Sequence, residues 1–221
     1  MSKTLGAGLI AAFLFYTGLN AQNYSSTMDS VSYSLGVLVA QNLKKQGLQD
    51  IDTEALARGV DDVLQDNDLE ISLSNANQIV QQHMMEQQAA QYQQIIEKGK
   101  AFLAENAARP EVTKLPSGLQ YEVLQEGTGA IPKATDRVTV HYTGKLLDGT
   151  VFDSSVERGE PATFGVTQVI QGWVEALQLM KEGAKWRLFI PYDLAYGERG
   201  AGSSIGPYET LVFDVELLKI N

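Results

Sequence analysis

The 221-residue sequence predicts a two-part chain, an all-α module with a long connecting helix followed by an α+β domain in which a curved antiparallel sheet wraps on one short helix. Three observations lead to this. Apolar residues keep a helical spacing from Met28 to Arg109. Beyond Pro110, β-branched and aromatic residues take over, and 11 of the 18 aromatics lie after residue 110. A single helical pattern, residues 167–183, interrupts the strand patterns there, as expected of an α+β domain.

In the first part, "SVSYSLGVLVAQNLKKQG" sets Val31, Leu35, Leu38, Val39 and Leu43 at helical spacing, with Gly47 as the stop. "DTEALARGVDDVLQD" opens on a capping Asp52 or Thr53 and carries a stripe of Ala57, Val60 and Leu64. The acids of "DNDLE" read as a solvated turn, because the segment lacks the length and the glycine of a calcium loop. No proline occurs between Ser74 and Ala108, and a helix of that length would span about 52 Å. Eight glutamines between Gln78 and Gln94 also fit a low-complexity tract. The spacing of Ile79, Val80, Met84, Tyr92, Ile95, Ile96, Phe102 and Leu103 favours one long amphipathic helix. Gly99 costs about 1 kcal/mol in its interior and is a candidate bend. Two short helices are too little to cover so long a stripe. A second copy is the natural cover, so a homodimer is expected; the alternative is packing on the second half of the same chain.

In the second part the strand candidates are "LQYEVL", "DRVTVHYTG", "TVFDS", "AKWRLFIP" and "TLVFDVELLKI". The intervening helix, "TQVIQGWVEALQLMKEG", places Ile170, Trp173, Leu177 and Met180 on one face and is closed by Gly183. In "RVTVHYTG", Val138, Val140 and Tyr142 share a face opposite Thr139, His141 and Thr143. Asp148-Gly149 suits a tight hairpin that returns Phe152 toward Tyr142. Strict alternation would then turn Asp153 away from Phe152 into solvent. A bend after Phe152 would instead bring both into one concavity. The pattern leaves both arrangements open.

Composition narrows the function. Lys and Arg total 17 against 27 Asp and Glu, a net charge of −10, with the excess of acid spread over both halves. That balance argues against nucleic acid or an anionic membrane as the main partner. The absence of cysteine excludes disulfides, thiolate catalysis and zinc–thiolate sites. The only histidines, His83 and His141, fall in different parts, so no metal site is expected. No Ser–His–Asp set is evident for a nucleophilic hydrolase. "GAGSSIG", from Gly200, lacks the following helix of a nucleotide loop and runs into Pro207, so it reads as a plain loop. At the N-terminus, Lys3, an apolar run from Leu5 to Leu19 and small Ala21 form a secretory-signal pattern over residues 1–21. An uncleaved anchor is the other reading, although the run is shorter than the roughly 20 residues a span requires. Nothing else in the sequence suggests a membrane span. Export, to a periplasm or an outer-membrane-associated site, is the expectation.

"VHYTGKLLDGTVFDSS", "VIQGWVEAL", "DLAYGERG" and "TLVFDVELLKI", in this order, resemble the FKBP family of peptidyl-prolyl isomerases from about Leu119 to Ile220. "SVSYSLGV", "GKAFLAEN" and "SGLQYEVL" are similar to the helical dimerisation module of the macrophage infectivity potentiator group. After the signal pattern over 1–21, the resemblance implies a helical dimerisation domain with its connecting helix over 22–110 and an isomerase domain over 111–221. It implies a catalytic set of Tyr142, Phe152, Asp153 and Tyr196. Around these it implies a substrate pocket of Phe164, Val169, Ile170, Trp173, Ile205 and Phe213, with Trp173 as floor and the Ile170 N–H holding a substrate carbonyl. No cofactor is implied. Ala162, Ala201 and Gly206 depart from the best-known single-domain members, which carry an aromatic, a polar ring and a proline there, and so bear on affinity for the family's macrolide inhibitors.

The implied partners are proline-containing unfolded or exported polypeptides. Rotation about an X–Pro bond breaks amide resonance against about 18–20 kcal/mol, and no covalent bond is made or cleaved. The twisted amide is less polar than the planar one. A water-excluding aromatic pocket with a few placed hydrogen bonds can therefore favour it. The rival expectation is a non-catalytic chaperone or binding module that uses the same apolar pocket and the cleft of a dimer to hold unfolded chains.

Overall fold

The structure, a computed structural model, describes residues 26–221. The signal pattern over residues 1–21 lies outside the described residues. The chain divides into two compact units, with the break between Leu73 and Ser74.

The first unit holds α1 (Thr27–Lys45) and α2 (Thr53–Leu64). Ser26 caps α1, its side chain accepting the Asp29 N–H at 3.1 Å. Asp52 caps α2 through Oδ1, which accepts the N–H groups of Glu54 and Ala55 at 2.9 and 3.0 Å. Each cap satisfies amide donors that have no partner inside the helix. Neither helix buries a single residue, and Leu35, Leu38, Val60 and Val63 are all more than half exposed.

The second unit begins with α3 (Leu73–Ala107), 35 residues long. The sequence left two covers for its stripe, and its two ends differ. Toward the C-terminus, Tyr92, Ile95, Ile96, Phe102 and Leu103 are half-buried. There Phe102 packs on Phe189 at 5.9 Å, and the Asn106 amide donates to Gln120 Oε1 at 2.9 Å. Gln120 in turn donates to the Leu103 carbonyl at 2.8 Å. Toward the N-terminus, Ile79, Val80 and Met85 stay exposed. Gly99 is not a break, since α3 continues through it. A Cβ there would lie 2.4 Å from Thr210 Oγ1, so the missing side chain is what lets α3 approach the residues leading into the last strand.

Seven strands follow: β1 (Val112–Lys114), β2 (Gln120–Gln125), β3 (Arg137–Leu146), β4 (Val151–Ser154), β5 (Ala162–Gly165), β6 (Lys185–Ile190) and β7 (Leu211–Ile220). They form one antiparallel sheet in the order β1-β2-β6-β7-β3-β4. β5 pairs with the first half of β3, ahead of β4 on the same edge. Along β3 and β7 burial alternates with period two, and Val138, Val140, Tyr142, Leu211, Phe213, Val215 and Leu217 all turn to one face. α4 (Gln171–Leu177) presents Trp173, Ala176 and Leu177 to that face. Each fully buried Leu, Ile or Val contributes about 1.5–3 kcal/mol, so this layer is what holds α4 on the sheet.

The helix expected over residues 167–183 is only seven residues long. Ile170 is its N-cap in extended backbone, and Met180 is fully buried beyond its end. Gly183, at φ +88°, belongs to the turn into β6. The apolar spacing of this segment records burial, which its extended and helical parts share. β1 and β5, three and four residues long, were not anticipated. Both lie near prolines and are too short to display alternation.

Candidate active site

The β3–β4 hairpin builds the first wall. Leu146 N–H donates to the Thr150 carbonyl at 3.0 Å, and Gly149 closes the turn at φ +90°. Gly144 then pairs with Asp153, whereas Lys145 pairs with Val151. Phe152 is therefore the extra residue of a β-bulge. Such a bulge breaks the two-residue alternation, so Phe152 and Asp153 both reach the same cavity. Gly144 makes room behind them: a Cβ there would sit 2.5 Å from Phe152 Cζ and 2.6 Å from Phe213 Cε1.

The cavity encloses about 410 Å3 and is lined by ten residues. Tyr142, Phe152 and Asp153 come from the hairpin and Phe164 from β5. Gln168, Val169 and Ile170 lead into α4, Trp173 lies on α4, Tyr196 follows β6 and Phe213 lies on β7. Trp173 is the hub. Its ring meets Tyr142, Phe164 and Phe213 edge-on at 5.4, 6.0 and 5.3 Å. Phe152 meets Phe213 edge-on at 5.4 Å. These are the favoured arrangements of aromatic quadrupoles. The buried Trp173 Nε1–H has no hydrogen-bond partner. Among the described residues, the Ile170 N–H likewise has no protein acceptor. Two donors are thus left for a ligand or water.

Nine of the ten residues expected at the site line the cavity. Ile205 does not. It is buried in the core and exchanges backbone hydrogen bonds with Ala201 at 2.9 and 3.2 Å in the loop after Tyr196. Gln168 is a wall residue that sequence reasoning passed over, and its position just before Val169-Ile170 was the available signal.

Arg158 was also missed. The Arg158 N–H donates to the Ser154 carbonyl at 3.3 Å in a turn after β4, which brings the guanidinium back over the Tyr142 ring, 5.6 Å from its centroid. Arg158 forms an ion pair with Asp153 and donates to the Tyr142 hydroxyl at 3.0 Å, while that hydroxyl donates to the other Asp153 oxygen. Burial pushes the Asp153 carboxyl up, but the hydrogen bonds from Tyr142 and Arg158 outweigh it and hold the group below the usual carboxylate range. Burial and the bond to Asp153 push the Tyr142 phenol up. Burial, and then the Asp153 charge, do the same to Tyr196. At neutral pH the site therefore holds a neutralised carboxylate and two protonated phenols. It has no acid–base pair tuned to neutrality, a composition suited to a reaction in which no proton moves.

Comparison with known proteins decides the family. Residues 129–218 match the family described as FKBP-type peptidyl-prolyl cis-trans isomerase, and residues 28–123 match the domain amino terminal to it. The chain is 50% identical over 192 residues to the FKBP-type 22 kDa peptidyl-prolyl cis-trans isomerase of Escherichia coli, covering 86% of this chain and 93% of that protein. The chain belongs to the FKBP-type peptidyl-prolyl cis-trans isomerases. This isomerase is also 44% identical over 208 residues to the outer membrane protein MIP of Legionella longbeachae, covering 91% of this chain and 89% of that one. The crystal structure of FkpA from Escherichia coli matches it with a TM-score of 0.68 at 34% identity, over 90% of this chain and 99% of that one. These matches bear out the resemblance of the motifs to the FKBP family and the fold it implies. Among the described residues, no helix of the isomerase is long and apolar enough to cross a membrane.

Proposed function

We propose that the isomerase acts through the cavity around Trp173, on proline-containing segments of unfolded, exported polypeptides. The observation that carries this reading is the edge-on aromatic cage on Trp173, with the unpartnered Ile170 N–H at its wall. The proline ring packs on Trp173 between Tyr142, Phe152, Phe164 and Phe213. The Ile170 N–H holds the carbonyl on one side of the X–Pro bond, so that rotation occurs about a fixed end. Val169 and Tyr196 close the rim, and Ile205 supports the loop beside it. Asp153, neutralised by Arg158, adds a fixed local field without a free charge. Each 1.36 kcal/mol by which this environment favours the twisted amide gives a tenfold rate increase.

In this reading the chain divides its labour into a cleaved signal over 1–21, dimerisation and the connecting helix over 22–110, and isomerisation over 111–221. The protein works in the periplasm or at the outer membrane. It is a homodimer joined through its helical half, a reading supported by α1 and α2, which bury nothing of their own. Leu56, Val60, Val63 and Leu64 line an apolar groove along α2. A second, chaperone-like holding activity is favoured by the exposed Ile79, Val80 and Met85 on α3.

Titration with an unlabelled X–Pro tetrapeptide, followed by NMR of the 15N-labelled protein, tests the site. The Ile170 amide and the Trp173 indole N–H should shift together and saturably. Saturable binding that leaves both signals in place would put the site elsewhere.

A further inference from the structure

The loop that carries Tyr196 to the cavity is closed by a narrow neck. Gly197 N–H donates to the Tyr192 carbonyl at 2.9 Å, and Tyr208 N–H donates to the Gly197 carbonyl at 2.9 Å. Both ends of the loop therefore meet at the residue next to Tyr196. Tyr208 holds its backbone at φ +61°, one of only two non-glycine residues at positive φ among the described residues. That conformation is strained for a bulky residue and persists only where its surroundings over-determine it. The surroundings here are aromatic. The Tyr208 ring meets Tyr192 edge-on at 5.3 Å on one side and Tyr92 of α3 at 5.1 Å on the other. Tyr92 is itself fixed, its hydroxyl accepting a hydrogen bond from the Gln88 amide at 2.9 Å. Two turns further along α3, Gly99 fits against Thr210, two residues beyond Tyr208.

We propose that Tyr92 is a positioning residue for the isomerase reaction. From α3, it clamps Tyr208 and so fixes the neck that sets where Tyr196 stands in the cavity wall. The inference rests on the reading of the Trp173 cavity as the active site. Tyr92 is not among the residues that line the cavity, so its influence runs through Tyr208 and the neck. Without the Tyr92 ring, Tyr208 loses one of the two ring contacts that offset its strain, the neck samples other conformations, and Tyr196 is in place only part of the time. Substrate then binds to a fraction of the molecules, and KM rises by the inverse of that fraction.

The test is kcat/KM on an X–Pro tetrapeptide for the full chain carrying Tyr92→Ala, Tyr92→Phe, Tyr196→Ala, Phe102→Ala and the Tyr92→Ala/Tyr196→Ala pair. Tyr92→Ala should lower kcat/KM about threefold to tenfold, mainly through KM, as expected for residues coupled through a shared contact. Tyr92→Phe, which keeps the ring, should restore it. In the Tyr196→Ala background Tyr92→Ala should cost nothing further. Phe102→Ala loosens the same helix on the sheet away from the neck, and should lower thermal stability while leaving kcat/KM of the folded protein unchanged. If Tyr92→Ala does not fold, Tyr92→Leu, which keeps apolar cover but no ring, takes its place. An unchanged KM, or an equal loss in both Tyr196 backgrounds, would overturn the proposal. So would an equal loss from Phe102→Ala, which would make the effect one of helix docking alone. Full activity of Tyr196→Ala by itself would instead remove Tyr196 from the site and with it the reading on which the proposal rests.

Discussion

Phe152 and Asp153 are consecutive residues of one strand that face the same cavity, because Phe152 is the unpaired residue where the β3–β4 register slips. An aromatic wall and a carboxylate are thereby delivered to one site by four residues of chain. The same bulge places Asp153 within reach of Tyr142 and Arg158.

Gly144 is the counterpart of that bulge. Gly144→Ala would drive a methyl group into the Phe152 and Phe213 rings, both within 2.6 Å of the new Cβ. Overpacking of this kind costs typically about 1–3 kcal/mol. The expected outcome is a lower midpoint in urea and a kcat/KM reduced by about tenfold or more, because the displaced rings are cavity walls. Equilibrium unfolding and peptide kinetics on the same preparation check both.

The pH dependence follows from Asp153. Its folded pKa is depressed by Tyr142 and Arg158 against the upward push of burial. The carboxylate's contribution to stability is therefore complete above the unfolded value and is lost as pH falls through the lower, folded one. Activity should stay flat from neutrality down through the usual carboxylate range and fall only below it. Arg158→Leu removes one of the groups that lower the pKa, so the acid limb should move to higher pH. A kcat/KM profile of both proteins in buffers of constant ionic strength measures the displacement.

Much of this site was legible in the sequence, for identifiable reasons. Long elements with strict periodicity, such as β3 and β7, announce themselves because burial repeats along them, whereas α3 announces itself by its length without proline and by the apolar spacing of its C-terminal half. Asp148-Gly149 marks its hairpin because that turn needs a positive φ. Alternation alone left two arrangements open for Asp153 and only the resemblance pointed to a bend after Phe152; the register slip there, which no sequence pattern shows, is what puts both residues in one cavity. Arg158 was not legible either. Its role depends on a turn that folds it back over Tyr142, and an arginine in an exposed loop carries no periodic signal. For α4, the apolar spacing ran on through Met180 because buried turn residues imitate a helical stripe.

α3 belongs energetically to the second unit. A fragment beginning at Glu111 loses Phe102 from Phe189 and leaves buried Gln120 without its partners Asn106 and Leu103. An unsatisfied buried polar group costs about 1–3 kcal/mol, and a lost aromatic contact adds to it. A fragment beginning at residue 74 keeps these contacts and should unfold at a clearly higher temperature than one beginning at Glu111. Calorimetry of the two fragments tests this.

The helical half predicts its own assembly. Val60→Asp with Val63→Asp places two charges in the apolar groove of α2. Light scattering should report two chains for the native protein and one for the double variant, with kcat/KM per site on short peptides unchanged in both.

The central claim is that the Trp173 cavity lowers the barrier to X–Pro rotation. It is tested most directly by a protease-coupled assay that follows cis-to-trans conversion of a short X–Pro peptide, with the native protein and with Phe152→Ala. The native protein should accelerate conversion in proportion to its concentration, and Phe152→Ala should lower kcat/KM by about tenfold to a hundredfold, as loss of a cavity wall worth about 1.4–2.8 kcal/mol requires. A native rate equal to the uncatalysed one on several X–Pro peptides, or a Phe152→Ala protein as active as the native one, would contradict it.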